Sequence, residues 1–197
     1  MTSPPWTGAQ RRGYRFSLAL TLFRLALAPA LVALARAGAP GIVLALGLVA
    51  GFASDVLDGV VARRAGVVTP LLRRLDSSVD TVFYLGVAYA TWHRHPDALR
   101  ALGIPILIVL GAEALNYLAA YARFRREASY HARSAKVWGL LLFIALFLLL
   151  ATGRATLLPV ALAAGVLAQA ETLAITLVLP HWRHDVPSVW NARHRDA

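Results

Sequence analysis

The chain has no cysteine, which excludes disulfides and any thiolate metal site and leaves the redox compartment without a marker. Metal ligands, if there are any, must be carboxylate oxygens or imidazoles. Charge is scarce too: 15% of the 197 residues are charged, against about 25% in a soluble domain. Only ten residues are acidic. The first dozen, MTSPPWTGAQRR, lack an apolar core and a small-residue cleavage site, so no removable signal peptide is expected. No internal repeat or low-complexity linker divides the chain. What remains is apolar, with 58% hydrophobic residues and a mean hydropathy of +0.60. These values predict an all-α integral membrane protein.

Six apolar stretches can each hold a spanning helix of about 20 residues. They lie near 15–36, 41–62, 76–93, 101–123, 135–152 and 156–179. Gly38, Pro40, Gly66, Pro70, Pro96, Gly153 and Pro180 punctuate them. The expected organisation is an N-terminal juxtamembrane segment over 1–14, one six-span domain over 15–180 and a cytoplasmic tail over 181–197. Fifteen of the 20 basic residues fall before span one, after spans two and four, and in the tail. The positive-inside rule therefore places both termini and these loops in the cytoplasm, in a cell membrane of prokaryotic type. The formal charge of +10 follows mostly from that topology and from attraction to anionic headgroups. The basic groups flank spans and form no separate basic domain, which speaks against nucleic acid as a partner.

Against so few acids, Asp55, Asp58, Asp76 and Asp80 fall within 26 positions, where spans two and three meet. On helices the first pair, three apart, shares a face, as does the second, four apart. Two such faces turned together form an oxygen-rich cage for hard divalent cations. All four lie within about 12 Å of the Arg-bearing loop at 1.5 Å per residue, on the cytoplasmic side. Glu113, Asn116, Glu171 and Arg24 also fall in cytoplasmic halves, while the outer halves are almost wholly apolar. A transporter more often carries polar groups on towards both faces. A cavity open to one side suits an enzyme acting on a membrane-embedded substrate.

The segment reads D-x2-D-G-x2-A-R-x8-L-x3-D-x3-D, and it resembles the signature of the CDP-alcohol phosphotransferases. Every specified position agrees except Leu72, where the family has Gly. TLFRLALAP, from Thr21 to Pro29, is similar to the first span of such enzymes, with Leu18 where the family often carries Asn. The resemblance implies transfer of a phosphatidyl or other substituted phosphoryl group from a CDP-alcohol, commonly CDP-diacylglycerol. The acceptor is the hydroxyl of a second alcohol, and CMP is released. It implies Mg²⁺ or Mn²⁺, two ions on four aspartates, because pyrophosphate charge must be neutralised before an oxygen nucleophile approaches. Asp55, Asp58 and Asp76 would be metal ligands, and Asp80 a ligand or the general base. Asp58, Gly59, Ala62, Arg63 and Thr69 would meet the nucleotide. Gly59 and Ala62 could equally serve close helix packing, and Arg63 topology. Leu72 adds bulk where the nucleotide is expected. Related enzymes are often homodimers.

On the acceptor side, Arg126, Arg133 and Lys136 in the basic loop after span four could cradle a phosphate, or could be positive-inside charges. Glu113 and Glu171 could recognise a cation or pair with a buried Arg such as Arg24. His181 and His184 have a spacing that binds a transition metal on a helix, with Asp185 nearby, whereas His93, His95, His131 and His194 suggest nothing specific. Trp182 and Trp190 mark an interfacial tail, and Trp6 invites the same reading. A cation transporter using the aspartates, or a non-catalytic family member, would share several of these features.

Overall fold

A computed structural model describes residues 6–126, 130 and 132–194; His131, Arg195 and the side chain of His194, named above, lie outside the described residues. The described residues are helical and contain no strand. In chain order the helices are α1 (Gly8–Arg36), α2 (Gly41–Ala65), α3 (Pro70–Arg94), α4 (Pro96–Ala101), α5 (Gly103–Phe124), α6 (Arg133–Thr152), α7 (Leu158–Val178) and α8 (Val189–His194). Five of them, α1, α2, α5, α6 and α7, are long and apolar enough to cross a membrane. Their surfaces match a lipid solvent: Ile104, Leu107 and Leu167 are 75%, 68% and 71% exposed, which isolated soluble domains avoid at this density. The protein is thus an all-α integral membrane protein.

The expected third span is α3, which does not meet the same composition. Its 25 residues reach about 37 Å. Arg73, Arg74, Asp76 and Asp80 fill its first half, and the apolar residues follow. Several predicted boundaries also move. Thr7 starts α1 with a capping box, its hydroxyl accepting from Gln10 N while the Gln10 side chain accepts from Thr7 N, so residues 8–14 are the first turns of α1.

Two compact units make up the chain. In the first, residues 1–96 and 150–153, α1 packs along both α2 and α3, which touch each other more sparingly. The buried residues of α1 are Ser17, Thr21, Arg24, Ala28, Leu31 and Ala35, alternately four and three apart, which is a single stripe along one helix face. Two glycines permit close approach. A Cβ on Gly86 would stand 3.0 Å from the Ala28 carbonyl oxygen, and one on Gly51 would stand 2.1 Å from the Phe83 ring. In the second unit, Val109 of α5, Ala145 and Leu149 of α6, and Leu158, Ala161 and Leu162 of α7 form the core. A second cluster gathers Tyr130, Ile175, Leu179, Val186 and Ala192.

The turn between α2 and α3 sets the register of everything that follows. Gly66, at φ 65°, ends α2 in the left-handed conformation, with its N–H bonded to Arg63 O and the Val67 N–H to Ala62 O. This is the Schellman arrangement, completed by the apolar cluster of Ala62, Val67 and Leu72. Thr69 then caps α3 by accepting from Leu72 N, and Pro70 begins it with a preset φ. From this turn Asp55 lies eleven residues before Gly66, and Asp80 eleven after Thr69. Asp58 and Asp76 lie eight before and seven after. The two acidic pairs therefore stand at matching depths.

Candidate metal and nucleotide site

Matching depth brings the four carboxylates together, and α1 supplies what holds them. The guanidinium of Arg24, 0% exposed, reaches all four. Its Nη1 pairs with Asp55 Oδ1 at 2.5 Å and with Asp80 Oδ1. Its Nη2 pairs with Asp58 Oδ2 and with Asp76 Oδ1, each at 2.6 Å. Arg24, considered above as a partner for Glu113 or Glu171, therefore gives its ion pairs to the aspartates. Glu171 instead accepts from Val189 N at 3.4 Å.

The aspartates differ in their surroundings. Asp58 is buried, 2% exposed, and its Oδ2 also accepts from the Thr21 hydroxyl at 3.3 Å, while Ser17 donates to its backbone carbonyl at 3.3 Å. Asp55, Asp76 and Asp80 are about one-third open, and each offers a carboxylate oxygen within 4.8 Å of the others. Hard carboxylate oxygens at this separation, already drawn around one positive group, fit a divalent cation. The closest set is thus three aspartates, with Asp58 joined to them through Arg24.

Beside the cluster is a cavity of about 140 Å³, lined in part by Asp58, Gly59, Ala62, Arg63 and Asp76. The atoms nearest to a Cβ on Gly59 would be those of the Arg63 guanidinium on its own helix, from 3.0 Å, so no other helix makes the closest approach to Gly59. Ala62 both lines the cavity and packs against Val67 and Leu72. Thr69 is not among the lining residues; its hydroxyl is engaged as the α3 cap. Leu72 lines the cavity while 5% exposed, so its side chain narrows this space. Sequence reasoning missed Ser17, Thr21, Val68 and Arg73 as lining residues. The first two were legible in the stripe that continues through Arg24, since four- and three-residue steps put all three on one face.

The remaining candidates lie in the second unit. Arg126 stacks over the Trp182 ring at 4.9 Å, and Arg133 and Lys136 occupy the first turn of α6, three apart. His181 and His184 are not on a helix, so the helical spacing considered for a metal does not apply. His184 Nδ1 lies 3.0 Å from Asp185 Oδ2. Among the described residues the group of three or more acids or histidines that could hold a metal is Asp55, Asp76 and Asp80.

A helical membrane protein that gathers aspartates beside a cavity lined by two of them and two arginines has the makings of a transferase of phosphate-containing groups. Residues 16–179 match the family model of the CDP-alcohol phosphatidyltransferases, and the chain belongs to that family. Its members transfer a phosphatidyl group from a CDP-alcohol to an alcohol acceptor in lipid synthesis, and they generally use divalent metals. Comparison with curated proteins and with solved structures gave no match.

Proposed function

We propose that the protein transfers a phosphatidyl group from CDP-diacylglycerol to a small alcohol or alcohol phosphate, releasing CMP on the cytoplasmic face. The observation that carries this reading is the convergence of all four aspartates on one buried guanidinium next to a cavity that Gly59 leaves open. Asp55, Asp58, Asp76 and Asp80 would hold Mg²⁺ or Mn²⁺, two ions at full loading; when bound, they would neutralise the pyrophosphate and stabilise the departing phosphate. Asp80, 29% exposed within the cluster, takes the proton of the acceptor hydroxyl. That oxygen forms a bond to the lipid-linked phosphorus, the bond from that phosphorus to the bridging oxygen breaks, and CMP leaves with the electron pair. Arg63 offers its fork to phosphate or cytosine oxygens across Gly59 and Ala62. Thr69 acts on the nucleotide side by fixing where α3 begins.

α3 completes the span count to six. Its second half exposes Leu85 at 65%, with Tyr89 and Trp92 also exposed, a lipid-compatible face above the charged first half. Arg126, Arg133 and Lys136 are the candidates for an acceptor phosphate.

The test is CMP release by purified protein given CDP-diacylglycerol, Mg²⁺ or Mn²⁺ and a panel of alcohols, with Asp80→Asn alongside. Absence of release with every acceptor from folded protein would refute the reaction. The cysteine-free background makes orientation equally accessible. Arg12→Cys should react with an impermeant maleimide only from the cytoplasmic side, and Asp97→Cys only from the opposite side.

A further inference from the structure

The four aspartates and Arg24 carry one positive and four negative formal charges, with Arg24 and Asp58 buried and the other three about one-third open. Burying the Asp58 carboxylate uncompensated would cost several kcal/mol, and its neighbours repel it, so the cluster calls for a resident cation. Arg24 supplies it: its two terminal nitrogens are divided evenly, Nη1 to Asp55 and Asp80, Nη2 to Asp58 and Asp76. Its Nε is buried with no hydrogen-bond partner. The fork meets all four carboxylates, so the acids set its position.

We propose that Arg24 is a built-in counter-ion that holds the aspartates in register before metal arrives and competes with metal for the same carboxylates. The inference rests on the metal-site reading above. Asp55, Asp76 and Asp80, whose oxygens lie near enough to share an ion, are also the partners of the guanidinium. A divalent cation can take them only as Arg24 loosens its grip. Asp58, the buried member, keeps the Thr21 hydroxyl as a second neighbour, a donor it shares with the Ser17 carbonyl. Arg24 is therefore a positioning residue, and it sets the threshold for metal loading. It lets the helices assemble without metal, and it makes loading weaker and more reversible than four bare carboxylates would.

The test counts Mn²⁺ bound to the full-length protein in nanodiscs by the loss of free-ion paramagnetic resonance, alongside thermal unfolding in EDTA and in saturating Mn²⁺. Arg24→Met keeps length and removes charge. It should bind Mn²⁺ about tenfold more tightly or better, because a charge at contact distance is gone. It should also melt several degrees below wild type in EDTA, with the gap closing in Mn²⁺. Arg24→Lys keeps the charge but replaces the fork with a single ammonium, and should tighten Mn²⁺ binding by a smaller factor. An equal melting gap with and without Mn²⁺ would show a purely structural role and overturn the inference, as would unchanged or weaker Mn²⁺ affinity. If the Met variant does not fold, unchanged affinity in the Lys variant overturns it alone. No Mn²⁺ on either the unaltered protein or the Arg24 variants removes the metal site and this inference together. Tighter Mn²⁺ binding by the variants of a protein that releases no CMP upholds the inference and defeats the reaction.

Discussion

The two units solve the problem of polar groups in an apolar chain in opposite ways. In the second, Asn116 Nδ2 of α5 donates to the backbone carbonyl and side-chain oxygen of Gln169 on α7, each at 2.9 Å. Arg123 is held by the Leu179 carbonyl, and Tyr130 pairs with Thr176 at 3.1 Å. These bonds join α5 to α7 and tie the segments that follow them, using mostly neutral groups. In the first, four carboxylates surround one guanidinium, and the formal charge does not cancel. Neutral pairs are a structural solution. A residual negative charge facing a cavity is an invitation to a cation, and that difference separates the neutral network of the second unit from the charged cluster of the first.

The largest expected effect comes from the charged cluster. Asp80→Asn keeps size and removes the proton acceptor, so CMP release should fall about 10³-fold, within the range general bases contribute. Helical content and monodispersity should be unchanged, which circular dichroism and size exclusion would check. Equal release by variant and wild type would move the base elsewhere and leave Asp80 as a ligand at most.

Much of this site was legible before any coordinates. The spacings of Asp55 and Asp58, and of Asp76 and Asp80, fixed which faces they share, and Gly66 and Pro70 announced the turn that levels them. The partner of the aspartates was not legible, because ion pairing between α1 and a hairpin more than 30 residues away depends on helix rotation and crossing, which periodicity does not give. A buried Arg24 was one of two readings, and it was paired with Glu113 or Glu171 rather than with the aspartates. The span count was clouded for a related reason. Hydropathy sums along a helix, whereas α3 is divided lengthwise, charged in its first half and lipid-like in its second.

Leu72 offers a middle-sized effect that sharpens the boundary between packing and binding. It is 5% exposed and packs with Ala62 and Val67 while lining the cavity. Leu72→Ala should cost about 2 kcal/mol of stability, at the low end for buried leucines because the cluster is small. It should also tighten CDP binding, measured by calorimetry in the presence of Mg²⁺. The two changes have opposite signs. Lost stability with unchanged affinity would make Leu72 a packing residue alone.

The smallest effect should come from the neutral network. Asn116→Ala removes the donor to Gln169, and interhelical hydrogen bonds in membranes contribute about 0.6 kcal/mol on average. The melting temperature should therefore drop only slightly, and Mn²⁺ affinity should stay at the wild-type value, because Asn116 contributes structure without charge. If Asn116→Ala weakened Mn²⁺ binding as strongly as loss of an aspartate does, the division between a structural unit and a chemical one would fail. The neutral pair would then belong to the site despite carrying no formal charge.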